Sequence, residues 1–178
     1  KQGGFVGGAI YNEDWSVSQF LSSSKNDLPK LRSSKYLQSH FDGFYKSVKE
    51  ALKTEKPVLV CGSPCQMAAM FRYLKKPYEN LIIVDYICRG IASPMYFRKW
   101  INYLENKHNS KVIFYKAKSK ELGWRKLSTR IEYANGEADV IAGHDNPWLM
   151  MQYKVPEICR PSCFECSFKG FPRTSDIT

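Results

Sequence analysis

A chain of 178 residues, 43% hydrophobic and 14% aromatic, can bury one sizeable core and is marginal for two. That composition excludes a disordered chain, and no apolar run approaches the roughly 20 residues that span a bilayer. The net charge of +10, from 27 Lys and Arg against 17 Asp and Glu, favours anionic ligands or acidic partners. The basic residues are scattered, however, which argues against a nucleic-acid module. Asn12, Glu13, Asp14 and several serines interrupt the first 25 positions, so they do not read as a signal peptide. Six cysteines without an export signal fit a reducing, cytoplasmic setting, where clustered thiols serve metals or redox chemistry.

In chain order, residues 4–11 read as a glycine-spaced strand, and 15–21 as its hairpin partner across the turn Asn12-Glu13-Asp14. The run Gly3-Gly4-x-x-Gly7-Gly8 has no strand-then-helix context, so close strand packing explains it better than a phosphate cradle. Pro29 starts a helical turn over 27–31, and 33–39 is an irregular loop or short strand. Asp42 is placed to cap a helix carrying Phe44, Tyr45, Val48, Ala51 and Leu52 on one face. Val58-Leu59-Val60 is a short strand, and Cys61-Gly62-Ser63-Pro64-Cys65 the turn leaving it. A helix over 66–74 then turns Met67, Met70, Phe71 and Leu74 inward. Residues 81–84 form a second apolar strand opening into Asp85–Gly90, and Ser93-Pro94 begins a helix to about Lys107.

Two strands, each followed by a loop and a helix, imply parallel pairing, with ligands gathering at the strands' carboxyl ends. Beyond Lys111, strands over 112–117, 127–133 and 138–141 include a hairpin at Asn135-Gly136, and 144–153 is a short helix with Trp148, Leu149 and Tyr153 on one side. The expectation is one α/β domain. It comprises a mixed sheet with a βαβ-type half in 1–110, an antiparallel hairpin region in 111–155, and a Cys-rich loop in 156–178.

Cys65 and Cys88 fall in loops at strand ends, while Cys163 and Cys166 form a Cys-x-x-Cys pair. Four thiolates from separate segments suit a four-iron cluster or a structural zinc; a lone redox pair and inert thiols stay open as alternatives. Cys61, the last apolar residue before its turn, reads as a buried thiol, and Cys159 as a fifth ligand or a packed thiol. Gly62 lets a ligand approach the backbone near the free amides of the following helix. Trp124, in the polar stretch Gly123-Trp124-Arg125, either covers a planar ligand or folds back onto the core. His40, His108 and His144 are isolated and read as surface residues.

Six segments, taken together and in order, resemble a known family. They are Ser34-Lys35-Tyr36-Leu37-Gln38-Ser39, Gly62-Ser63-Pro64-Cys65-Gln66, Val84-Asp85-Tyr86-Ile87-Cys88-Arg89-Gly90, Gly123-Trp124, Arg160 through Lys169, and Ser175-Asp176-Ile177-Thr178. The resemblance is to the beta subunits of coenzyme F420 hydrogenases and dehydrogenases. It implies an iron-sulfur flavoprotein oxidoreductase with a 4Fe-4S cluster and FAD. The electron acceptor would be a deazaflavin or another small carrier, and a redox partner protein or subunit is implied as well. Matching residue by residue, it implies Cys65, Cys88, Cys163 and Cys166 as cluster ligands. Ser34, Lys35, Tyr36 and Trp124 become flavin-side candidates, beside Gly62. Arg89 stands where a histidine is common in the family. The cysteine-rich segment, the opening segment and the continuation past Thr178 known from such proteins lie outside this sequence, so a fragment is expected. A zinc-stapled binding module without catalysis is the alternative.

Overall fold

The computed structural model describes residues 3–178, which fall into two compact units. One takes in the chain up to Arg32, Ser39–Arg89 and Glu165–Thr178; the other takes in Ser33–Gln38 and Gly90–Phe164.

The first unit is built on a mixed sheet of five strands in the order β3-β2-β1-β4-β5. Strands β1 (Phe5–Tyr11) and β2 (Val17–Ser22) form the expected antiparallel hairpin. Asn12 organises its turn, donating from Nδ2 to the hydroxyls of Ser16 and Ser18, both at 2.8 Å. The four-residue helix α1 (Leu28–Leu31) follows, then the two-residue strand β3 (Ser39–His40). Strands β4 (Val58–Gly62) and β5 (Leu81–Asp85) pair in parallel, as the alternation of strand and helix implies, and β1 joins them in parallel on the far side of β4.

Helices α2 (Phe44–Leu52) and α3 (Pro64–Leu74) bury their apolar stripes against Val58, Val60 and Ile83. Two details depart from expectation. Gly43, not Asp42, is the N-cap of α2; its backbone is left-handed at φ 72°, a conformation glycine adopts without a Cβ clash. Phe71 is 42% exposed, because Met67, Met70 and Leu74 already fill the inward arc of α3.

Of the β1 glycines, Gly7 is the one that packing requires. A Cβ on Gly7 would lie 2.9 Å from the Phe44 ring and 3.2 Å from Leu21. The strand therefore sits closer to α2 than any side chain would permit.

The second unit carries α4 (Pro94–His108) and an antiparallel sheet of β6 (Val112–Ser119), β7 (Ser128–Tyr133) and β8 (Ala138–Ala142). Gly136 at φ 88° supplies the left-handed turn of the β7–β8 hairpin. Helix α5 (Pro147–Lys154) is capped by fully buried Asn146, which accepts from the Leu149 amide at 3.3 Å and donates to Thr129 at 2.7 Å. Trp148 packs on Phe97 of α4 with ring centroids 4.8 Å apart, and Phe97 meets Tyr115 of β6 edge-on at 5.1 Å. Trp148 and Leu149 are buried as expected; Tyr153, in the last turn, faces solvent instead.

The Gly7 contact gives a direct test. Gly7→Val should lower stability by about 1–3 kcal/mol through overpacking. The measurement is the urea unfolding midpoint; an unchanged midpoint would mean that β1 does not sit tightly on α2.

Candidate cofactor site

The site is built from the carboxyl edge of the parallel pair. Cys61 lies beside Val84 and Gly62 beside Asp85 in the β4–β5 register. Strand β4 thus runs two residues further than the sequence suggests, and no free turn follows it. Ser63 caps α3 directly, Pro64 takes the first helical position, and Cys65 lies in the first turn. The Gln66 side chain accepts from the Ser63 amide at 3.1 Å, half of a capping box, and donates to Ser39 of β3 at 3.0 Å. Ser63 Oγ lies 3.3 Å from Cys65 Sγ. What lies over Gly62 is α3 itself: a Cβ there would come 2.6 Å from the Met67 methyl.

Tyr86, the first residue past β5, reports on this edge. Its phenol is pushed well above the usual tyrosine range by burial, then by negative charge at Cys88, Cys61, Cys65 and Asp85. The Cys61 thiol is also pushed up, by burial and then by the Asp85 carboxylate, so it holds its proton more tightly than an ordinary cysteine.

The C-terminal segment returns to β5. Ile177 bridges Val84 in parallel, the Asp85 amide donates to Ile177 O at 2.9 Å, and the Asp176 carboxylate accepts from the Ile83 amide at 2.7 Å. Cys166 belongs to this returning stretch.

In the second unit, Gly90 at φ 143° lies against two further thiol residues. A Cβ at Gly90 would come 3.4 Å from Cys159 Sγ and 3.5 Å from the Cys163 Cβ. Cys159 bridges Ala92 antiparallel, and the Cys163 amide donates to Arg160 O at 2.9 Å. All six cysteines are thiols and partly buried. Among the described residues, no three Cys, His, Asp or Glu side chains are grouped closely enough to hold a metal ion.

The flavin-side candidates have distinct surroundings. Lys35 is only 6% exposed and donates to Ser33 O at 3.1 Å; burial brings its ammonium down to about 8. Tyr36, left-handed at φ 56°, has Lys118 Nζ 5.6 Å from its ring centroid. Trp124 is 83% exposed in the β6–β7 loop, with Lys120 Nζ 2.8 Å from its ring centroid. It does not fold back onto the core, and its face carries a cation. Asp85, Tyr86 and Gly90 carry no individual signal in the sequence, although each stands within a segment that bears the family resemblance.

A family model for the C terminus of the coenzyme F420 hydrogenase/dehydrogenase beta subunit matches residues 55–178. The chain belongs to this family, one of redox-enzyme subunits. No curated protein matches it. Among solved structures, it shares its fold with a chain from a xenon derivative of the F420-reducing NiFe hydrogenase complex of Methanosarcina barkeri. The TM-score is 0.52 at 17% identity, covering 93% of this chain and 53% of that one. It therefore spans about half the length of the chain it matches. No helix among the described residues is long and apolar enough to cross a membrane.

Lys35 yields a pH test with a definite sign. Its ammonium is held down to about 8 in the folded chain, so between there and the ordinary lysine value near about 10.4 the unfolded chain binds more protons. Stability contributed at this site should rise with pH across that window. Lys35→Met should remove the rise, read as the difference in unfolding midpoint between pH 8 and pH 10. An equal rise in both proteins would refute the assignment.

Proposed function

We propose that this chain serves as an electron-transfer part of a multi-subunit oxidoreductase, with Cys65, Cys88, Cys163 and Cys166 as ligands to a four-iron cluster and with FAD as its second group. The observation that carries the reading is the parallel β4–β5 register, which sends the segments bearing Cys65 and Cys88 out from one edge of the sheet. The donor chemistry fits: all six thiols are free and partly buried. When bound, a flavin exchanges two electrons with a hydride donor and single electrons with a cluster.

The chain's own residues have separable tasks. Cys61 keeps its proton beside Asp85 and stays out of ligation. The excess of basic residues offsets the charge of a thiolate-bound cluster and a pyrophosphate. Ser34, Lys35 and Tyr36 are assigned to the flavin side, where Lys35 offers a desolvated amine. Trp124 presents an exposed aromatic face suited to a planar ring. A deazaflavin or another small carrier is the acceptor, and a partner subunit supplies or receives the electrons.

Anaerobic reconstitution with iron and sulfide tests this. The wild type should take up about four irons per chain and turn brown. Cys65→Ser, Cys88→Ser, Cys163→Ser and Cys166→Ser should each lose most of that iron, whereas Cys61→Ser should keep it. Trp124→Ala should weaken FAD binding several-fold, followed by quenching of flavin fluorescence. Full iron in both Cys163→Ser and Cys166→Ser, or colourless protein that holds zinc instead, would overturn the reading.

A further inference from the structure

The tail of the first unit contains an ion pair that the reading above does not use. Arg173 and Asp85 have side chains only 5% and 1% exposed, with Nη1 3.2 Å from Asp85 Oδ1. The stretch around Arg173 is otherwise open to solvent: Lys169, Gly170, Phe171, Pro172 and Thr174 are all exposed. A guanidinium loses much hydration on burial, so one aimed inward from such a segment requires a structural reason.

Its contacts supply one. Nη1 also donates to the Tyr86 carbonyl at 3.3 Å, and Nη2 donates to the Lys169 carbonyl at 3.2 Å. The Lys169 amide in turn donates to the Cys166 carbonyl at 3.4 Å. One planar fork thus spans the end of β5 and the turn that begins at Cys166. We propose that Arg173, anchored by Asp85, is a positioning residue that fixes the Cys166 turn against the carboxyl end of β5.

The geometry distinguishes this role from general stability. The backbone anchors at Asp176 and Ile177 already hold the tail on β5. Arg173 reaches the other way, toward Cys166. The pair is also incompletely satisfied: Asp85 Oδ2 and Arg173 Nε are buried without a hydrogen-bond partner among the described residues. A pair selected only for strength would be bidentate. This one spends its second arm on the Lys169 carbonyl instead, which orients the turn.

The inference that this serves cofactor binding rests on the reading of Cys166 as a ligand; the clasp itself does not. The test therefore has two arms. In the metal-free, reduced chain, peptide-resolved alkylation rates of all six cysteines are compared in wild type, Arg173→Gln and Asp85→Asn. Cys166 should react several-fold faster in both variants, while Cys65 keeps its wild-type rate in both and Cys61 keeps its own in Arg173→Gln. Unchanged Cys166 reactivity overturns the proposal, and so does a parallel rise at every cysteine, which would indicate general loosening. Should Arg173→Gln fail to fold, Arg173→Lys carries the same comparison, since it keeps the charge but loses the fork.

The second arm is iron uptake after reconstitution. The Arg173 variant should hold several-fold less iron than the wild type, and Arg173→Lys should regain only part of it. Equal iron in wild type and variant would overturn the positioning role. Wild-type chain that takes up no iron would instead refute the cluster reading and leave the alkylation result standing.

Discussion

The parallel register of β4 on β5 governs the rest of the candidate site. Val58, Val60 and Ile83 are buried on the face covered by α2 and α3, so slipping the pairing by one residue would expose them. Packing therefore fixes which residues leave the two strands side by side. Cys61 and Gly62 must lie beside Val84 and Asp85, and Cys65, Tyr86 and Cys88 follow within a few positions. Parallel strands end at a common edge because their connections return over the sheet face, so both segments leave the sheet from one edge. The same hydrophobic cluster depends on Gly7, whose missing side chain lets β1 approach the Phe44 ring.

That edge brings together a buried carboxylate and thiols, and the chain treats each group differently. Asp85 is buried, which would be costly unpaired; Arg173 supplies the opposite charge from 88 residues away. The Asp85 carboxylate acts in turn on Cys61, raising its pKa beyond the effect of burial. Cys65 lies instead in the first turn of α3, beside the Ser63 hydroxyl and away from the β4–β5 pairing that holds Cys61. Two thiols only four positions apart therefore have different neighbours. Their surroundings, rather than their spacing, separate a resting thiol from a candidate ligand.

Much of this was legible in the sequence where local rules apply. The strand-helix alternation gave the parallel pair, the glycine spacing of β1 gave close packing, and Asn135-Gly136 gave the hairpin. Trp124 stood out as a large aromatic in a polar stretch, and it is exposed. Failures arose where a tertiary contact overrides a local preference. Asp42 is a good capping residue, but Gly43 can adopt the left-handed backbone and caps α2 in its place. Cys61 and Gly62 look like a turn, yet pairing with Val84 and Asp85 keeps them in the strand. Phe71 and Tyr153 fit an apolar stripe whose inward arc other residues had already filled. Nothing in the local pattern marks Arg173 as buried, because its partner is on a strand far back in the chain.

The tail poses a last question of design: why the turn that bears Cys166, the proposed ligand, should be held by a charge. Apolar contacts would order it with less desolvation, but they are non-directional and tolerate small sliding. A guanidinium bound to Asp85, Tyr86 and Lys169 has its plane set by three oxygens from two segments, so the turn can neither slide nor rotate without losing hydrogen bonds. Hydrogen bonds to charged groups contribute about 1.5–3 kcal/mol each, more than neutral ones, which offsets part of the burial cost. The arrangement gives up some stability for orientation. Orientation is what the proposed role of Cys166 requires, since sulfur placement is more demanding than mere attachment of the segment.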